Sequence, residues 1–178
     1  MNIYDMKVED LEDYFVGIGE KKFKAIQVYD WLYRKKVTSF DEMTNIKKDV
    51  LERLKADFSI SRVNIIQKQC GSLVYKYLFE LEDSNKVEAV LMLHDYGQSI
   101  CISTEVGCNM SCRFCESGRL KRVRKLTPSE MVTQILKVQE DSGLKITHVV
   151  LMGIGEPFDN YDNVMKFIRI INAGKGLE

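Results

Sequence analysis

Residues 98–157 read QSICISTEVGCNMSCRFCESGRLKRVRKLTPSEMVTQILKVQEDSGLKITHVVLMGIGEP, and the alternation of apolar runs with polar loops in this stretch decides the fold. Gln98 to Val106 is β-rich and runs directly into Cys108, Cys112 and Cys115. Thr127-Pro128-Ser129-Glu130 then supplies an N-cap threonine, a proline at the first helical position and a glutamate three residues after the cap, which together mark a helix start. That predicted helix runs to about Asp141, and Ser142-Gly143 stops it. Ile146 to Met152 (ITHVVLM) reads as a buried-type strand ending at Gly153-Ile154-Gly155-Glu156-Pro157, and a last helix is predicted from Asn160 or Tyr161 to Ile171. Strand, loop, helix, repeated, is the unit of a parallel α/β sheet or barrel, in which functional loops follow the carboxyl ends of strands. The cysteine run and the Gly153–Pro157 turn both occupy that position.

Upstream the period changes. Arg62 to Cys70, Leu73 to Leu81 and Val87 to Leu93 are β-rich runs separated by Gly71-Ser72 and Asp83-Ser84-Asn85, and Asp95-Tyr96-Gly97 leads into Gln98 to Val106; these turns predict antiparallel pairing. Before Ser59 the chain reads as three short helices: Lys7 to Phe15, Glu20 to Lys36 and Lys47 to Phe58, each with an apolar stripe at helical spacing. The expected domains are therefore a helical accessory domain over 1–58, an antiparallel β segment over 59–97 and a partial barrel over 98–178. The expected class is α/β, or α+β overall. The stretch from Gln98 to Glu178 is shorter than the ~200 residues that even a compact α/β barrel takes. A truncated chain is the expectation, and with it a chain inactive by itself.

Composition narrows the function classes. Hydrophobic residues at 45% and charged residues at 29% of 178 exclude a disordered chain. With 26 basic against 26 acidic residues the formal charge is zero, so nucleic-acid binding has to rest on local patches. Met1 to Lys7 lacks a targeting pattern, and no apolar run approaches the ~18 residues of a membrane span, which predicts a cytoplasmic protein with no membrane partner. Five cysteines, three of them crowded between Cys108 and Cys115, suit a metal or redox site in a reducing compartment better than a disulfide framework.

The spacing of Cys108, Cys112 and Cys115 is C-x3-C-x2-C. Three thiolates on one loop can converge on an iron–sulfur cluster and leave one position without a protein ligand, which is where chemistry becomes available. A zinc knuckle wants four ligands, and the chain offers only His94 and His148 besides its cysteines. Three unrelated buried cysteines fit poorly beside the polar or loop-forming Gly107, Asn109, Ser111 and Arg113.

With Phe114 before the third cysteine, this loop resembles the hallmark of the radical S-adenosylmethionine (SAM) superfamily. The resemblance narrows over Cys101 to Cys108 (CISTEVGC), Gly118, Leu126-Thr127 and Met152 to Val164 (MGIGEPFDNYDNV) to the RlmN family, and it runs from Asp5 to the chain end, Lys21 to Lys36 included. It implies a (βα)6-type barrel and a 4Fe-4S cluster held by Cys108, Cys112 and Cys115. The fourth iron would be chelated by SAM, which is split to a 5'-deoxyadenosyl radical. It implies methylation at C2 of adenosine in 23S rRNA and in tRNA beside the anticodon, and a reductase or flavodoxin-type electron donor. Gly155 and Glu156 would contact SAM. Cys101 would remove the C2 proton and close a transient disulfide with a second, methyl-carrying cysteine, and Glu88 would be a proton acceptor.

Each of these residues also has a plain reading. Cys101 in Ser99 to Ser103 (SICIS) can be a small buried apolar group, Glu88 a solvent-facing charge on an alternating strand, and Gly155-Glu156-Pro157 an ordinary turn. Cys70 matches no motif and reads as structural. Arg119, Lys121, Arg122, Arg124 and Lys125 form a basic run that suits a phosphate backbone or a solvated loop, and the basic residues of Lys21 to Lys36 pose the same choice. The family pattern has a small residue after the third cysteine and a Gly-Phe and an Arg-Asn before Leu-Thr, whereas this chain reads CESGRLKRVRKLT over 115–127. Two alternatives stay open: a sister enzyme methylating C8 of the same rRNA adenine, and a noncatalytic RNA-binding remnant. Pro157 and Tyr161 to Val164 (YDNV) fit the C2 family better.

Overall fold

The computed structural model describes residues 1–174 and 177. It divides into two compact units, Met1–Ser61 with Met165–Glu178, and Arg62–Val164. In the first, α1 (Val8–Gly17) and α3 (Lys48–Asp57) fall where the apolar spacing predicts them, burying Leu11 and Phe15, and Val50, Leu51 and Leu54. The helix expected over Glu20 to Lys36 differs. It begins as α2 (Phe23–Tyr29) and widens into a π turn over Asp30–Arg34, closed by the Lys35 amide donating to the Asp30 carbonyl at 3.0 Å. The wide turn seats the consecutive bulky residues Leu32 and Tyr33 in the core, where the Tyr33 ring lies 4.8 Å from that of Tyr29 and 5.6 Å from that of Tyr4. Aromatic packing of this kind overrides the local preference for a regular helix.

The second unit holds a five-stranded sheet in the order β1 (Asn64–Cys70), β2 (Val74–Glu80), β3 (Lys86–His94), β4 (Gly97–Cys101), β7 (Ile146–Val150). Its first three pairings are antiparallel, and β4 pairs β7 in parallel. The helix α4 (Pro128–Ser142) connects them, and its start is the predicted capping box: the Glu130 amide donates to Thr127 Oγ1 at 3.3 Å and the Thr127 amide to Glu130 Oε2 at 2.9 Å. Gly143, at φ 70°, ends it in the left-handed conformation that favours glycine. A second helix, α5 (Tyr161–Ile171), follows β7. The α/β class and the two βα units are as the sequence predicts.

Two strands are shorter than expected. Gln98 to Val106 is not one strand: β4 ends at Cys101, and Glu105–Val106 forms a separate ribbon, β5, with β6 (Arg124–Lys125). The chain turns because the amides of Thr104 and Glu105 both donate to the Ile154 carbonyl, at 2.9 and 3.2 Å, instead of continuing the ladder. The last strand stops at Val150 rather than Met152, and it stands last in the described sheet, so Thr147 and His148 are exposed where the apolar run predicts burial.

Alternation gives the sheet two unlike faces. Tyr77, Phe79, Val87, Ala89, Leu91 and Ile100 are at most 1% exposed on the α4 side. The partners Lys76, Val90, Cys101 and Val150, with Leu78 beside Glu88, line the other.

Candidate active site at the strand ends

The loops that leave β4 and β7 are stitched together at their first residues. The Ile102 amide donates to the Val150 carbonyl at 3.0 Å, and the Gly153 amide returns to the Ile102 carbonyl at 3.1 Å. Ser103, fully buried, donates from Oγ to the Glu88 carbonyl at 2.7 Å and accepts from the Ile154 amide at 3.1 Å. Gln134 of α4 closes the arrangement by pairing both the amide and the carbonyl of Ser103, at 3.1 and 3.2 Å. A buried amide side chain satisfied on both ends in this way fixes where the cysteine loop departs.

The cysteine loop begins at Gly107, at φ 73°, where a β-carbon would stand 2.2 Å from the Lys121 carbonyl oxygen. Only glycine fits there. The Cys108 amide donates to the Leu120 carbonyl at 2.8 Å and the Cys115 amide to the Cys112 carbonyl at 3.0 Å, while Gly118 presses its bare Cα against Cys112, whose amide nitrogen a β-carbon would meet at 3.0 Å. Cys108 is buried, Cys112 exposed and Cys115 half-buried, and all are free thiols. Among the described residues the thiols do not converge into a closed set of three metal ligands. The donor chemistry nonetheless fits a thiolate-held cluster: three unpaired sulfurs within eight residues, on a loop cradled by two glycines. Zinc fits worse, because a closed zinc site takes four ligands and the loop from Cys108 to Cys115 carries three thiols and no histidine.

Cys101 and Glu88 share the sheet face opposite α4. Cys101 is paired across with Val90, and Glu88 sits two residues further along the same strand. The Glu88 carboxylate accepts from Lys76 Nζ at 2.7 Å and borders a cavity of about 50 Å³ lined also by Gln67, Gln69 and Leu78. Burial pushes the Cys101 thiol above its ordinary pKa, partly offset by a hydrogen bond from the Met152 backbone. Cys70, read as structural, is instead exposed on β1.

Gly155 has φ 111°, and a β-carbon there would stand 2.7 Å from Glu105 Cβ. The Glu156 amide donates to Glu105 Oε2 at 3.1 Å, and Glu156 Oε1 accepts from the Phe158 amide at 3.0 Å. Glu105, missed in the sequence, is therefore central: its side chain is fully buried and pairs with Arg122 Nη1 at 3.1 Å. Asn160 is a second missed residue, buried and donating to the carbonyls of Thr104 and Leu126 at 2.8 Å each. A signal for both existed, since a carboxylate inside an apolar strand end and an asparagine before a helix each need partners.

The basic run splits in two. Arg122 pairs with Glu105 and, at 2.9 Å, with Asp159. Arg124 makes a bidentate pair with Glu130, at 2.6 and 2.8 Å, and holds the Asp83 carboxyl well below the usual carboxylate range. Lys121, Lys125 and Arg119 remain exposed. Among the described residues no helix is long and apolar enough to cross a membrane.

The family described as ribosomal RNA large subunit methyltransferase N-terminal domain matches residues 1–60, and the radical SAM superfamily matches residues 102–178. A probable dual-specificity RNA methyltransferase RlmN of Acholeplasma laidlawii is 46% identical over 99% of this chain and 53% of its own length. One of Enterococcus faecalis is 50% identical over 99% of this chain and 51% of its own. The crystal structure of a radical SAM methyltransferase from Sphaerobacter thermophilus superposes with a TM-score of 0.88 at 30% identity, covering 99% of this chain and 53% of that one. The chain spans about half the length of the curated relatives it matches.

Proposed function

We propose that this chain, which belongs to the RlmN-type radical SAM family, contributes the cluster loop, one SAM-binding loop and one acid–base cysteine to methylation of adenosine C2 in 23S rRNA and tRNA. The observation that carries this reading is the meeting of the Cys108–Cys115 loop and the Gly153–Pro157 loop at the carboxyl ends of two adjacent parallel strands, with Cys101 as the last residue of β4. Cys108, Cys112 and Cys115 would hold a 4Fe-4S cluster, and Gly155 and Glu156 would hold SAM. Bound together, the two supply reductive cleavage of SAM to a 5'-deoxyadenosyl radical. The electron would come from a reductase or flavodoxin-type donor, in the cytoplasm, where five free thiols stay reduced.

The remaining steps belong to side chains of this chain. The partly desolvated Cys101 holds its proton more tightly than an exposed thiol, so its thiolate, once formed, is the stronger base toward a carbon-bound proton. Glu88 lies on the same face, two residues along β3 from Val90, the cross-strand partner of Cys101, with its carboxylate paired to Lys76, and would take the proton that Cys101 gives up. The bare Cα of Gly155 allows the post-β7 loop to pack flat on Glu105, which engages the Glu156 amide and keeps the Glu156 carboxylate at the strand end for an ammonium partner.

The test incubates anaerobically reconstituted chain with reductant, isotopically labelled SAM and an adenosine-containing rRNA fragment. Mass spectrometry then reads 5'-deoxyadenosine and methylated adenosines. The expected result is slow formation of 5'-deoxyadenosine, unchanged in Cys101→Ala, and no 2-methyladenosine from the 178-residue chain, because no second cysteine suited to carry the methyl group stands among its five. Absence of 5'-deoxyadenosine would overturn the cluster and SAM reading. Repeated turnover to 2-methyladenosine would overturn the two-cysteine reading of Cys101.

A further inference from the structure

Arg122 lies in the basic run after the cysteine loop, yet its guanidinium points inward. One nitrogen, Nη1, reaches Glu105 Oε1 at 3.1 Å and Asp159 Oδ2 at 2.9 Å. Glu105 is on β5, just before the cysteine loop, and Asp159 is on the loop after β7, just past Glu156. The other Glu105 oxygen, Oε2, accepts from the Glu156 amide at 3.1 Å. Glu105 thus has a fully buried side chain with one oxygen on Arg122 and the other on the backbone of the Gly155–Glu156 turn. A buried carboxylate needs such partners, because an unpaired charge in that position is far costlier than a paired one.

We propose that Arg122 is a positioning residue, which together with Glu105 and Asp159 clamps the Gly155–Glu156 turn against the base of the cysteine loop and so sets the spacing between the cluster and SAM subsites. The inference rests on the reading of those two loops as the cluster and SAM loops. The two ion pairs that Arg122 makes differ in weight. On the Glu105 side the Arg122–Glu105 pair is fully buried and so only partly screened, whereas Asp159 is about a third exposed and contributes less. Because one nitrogen makes both contacts, a compact ammonium on a long stem can replace it in part, but an apolar side chain of similar length cannot. Because its guanidinium is engaged by two carboxylates, Arg122 should add little to the salt dependence of RNA binding.

The experiment has two arms on the full chain. Hydrogen–deuterium exchange of the metal-free protein follows the amides of Ile154 and Glu156, which bond to Ser103 and Glu105, with the α4 amides as reference. Equilibrium dialysis of SAM follows binding to the reconstituted protein. In Arg122→Met the two loop amides should exchange at least about tenfold faster with α4 unchanged. SAM should bind about tenfold more weakly at parental iron content. Arg122→Lys should recover most of both. Asp159→Asn, which removes only the more exposed arm, should give a smaller change of the same sign and serves if Arg122→Met does not fold. Parental exchange in Arg122→Met overturns the clamp, as does acceleration spread equally over α4 and the sheet with no recovery in Arg122→Lys. If the parental chain binds neither iron nor SAM, the proposed function fails while the exchange arm still decides the clamp.

Discussion

The two faces of the five-stranded sheet are built from alternate residues of the same strands, and they do different work. On the α4 side Tyr77, Phe79, Val87, Ala89, Leu91 and Ile100 are closed off from water. On the other side Lys76, Glu88 and Cys101 occupy the intervening positions and stay partly open. Stability is concentrated on one face and reactive groups on the other, separated only by the period of two. Substitutions should therefore sort by face.

The largest effect is expected from Leu91→Ala, which removes a fully buried side chain from the closed face and should cost about 2–5 kcal/mol in urea unfolding. Cys101→Ala, ten residues along and on the open face, should cost under about 1 kcal/mol. Equal losses at the two sites would break the comparison. Gly107→Ala comes next, since a β-carbon would stand 2.2 Å from the Lys121 carbonyl oxygen at φ 73°. It should cost about 1–3 kcal/mol and lower iron uptake, measured by unfolding and by iron analysis.

Titration sharpens the comparison at Cys101. Its pKa is raised by burial, so the folded state holds this proton where an unfolded thiol, ordinary near ~8.5, has begun to release it. The stability contribution is complete below that pH and is lost as pH rises through the folded-state value. The iodoacetamide rate at Cys101, followed by peptide mass spectrometry, should have its inflection above ~8.5. An inflection at or below that value would place the thiol in a polar, not a desolvated, environment. The smallest effect concerns RNA. Arg119, Lys121 and Lys125 are exposed, and changing all three to Gln should lessen the slope of log binding constant against log salt by about 2 for single-stranded RNA. An unchanged slope would remove this patch from the RNA surface.

Much of this arrangement is legible in the sequence. The capping box at Thr127 and Glu130, the turn glycines and the spacing of Cys108, Cys112 and Cys115 are local signals, and local physics is enough to read them. What escapes is non-local. Nothing around Glu105 says that its partners are Arg122, seventeen residues on, and the Glu156 amide, fifty-one residues on. The break after Cys101 likewise depends on the Ile154 carbonyl taking two amides of the first loop. The split of the basic run follows from carboxylates at Asp83, Glu105 and Asp159 that sequence spacing does not bring together. In the first unit, the π turn at Asp30–Arg34 is a response to ring packing with Tyr4 and Tyr29 that periodicity alone does not express.

The central claim is that the loop at the end of β4 holds an iron–sulfur cluster through three cysteines and no others. Anaerobic reconstitution followed by iron and sulfide analysis, with electron paramagnetic resonance of the reduced protein, tests it most directly. The account predicts about one 4Fe-4S cluster per chain. It predicts loss of most iron and of the visible charge-transfer absorption in Cys108→Ala, Cys112→Ala or Cys115→Ala, with parental iron in Cys70→Ala and Cys101→Ala. Stoichiometric zinc without iron or sulfide, or iron that survives loss of any one of Cys108, Cys112 and Cys115, would contradict it.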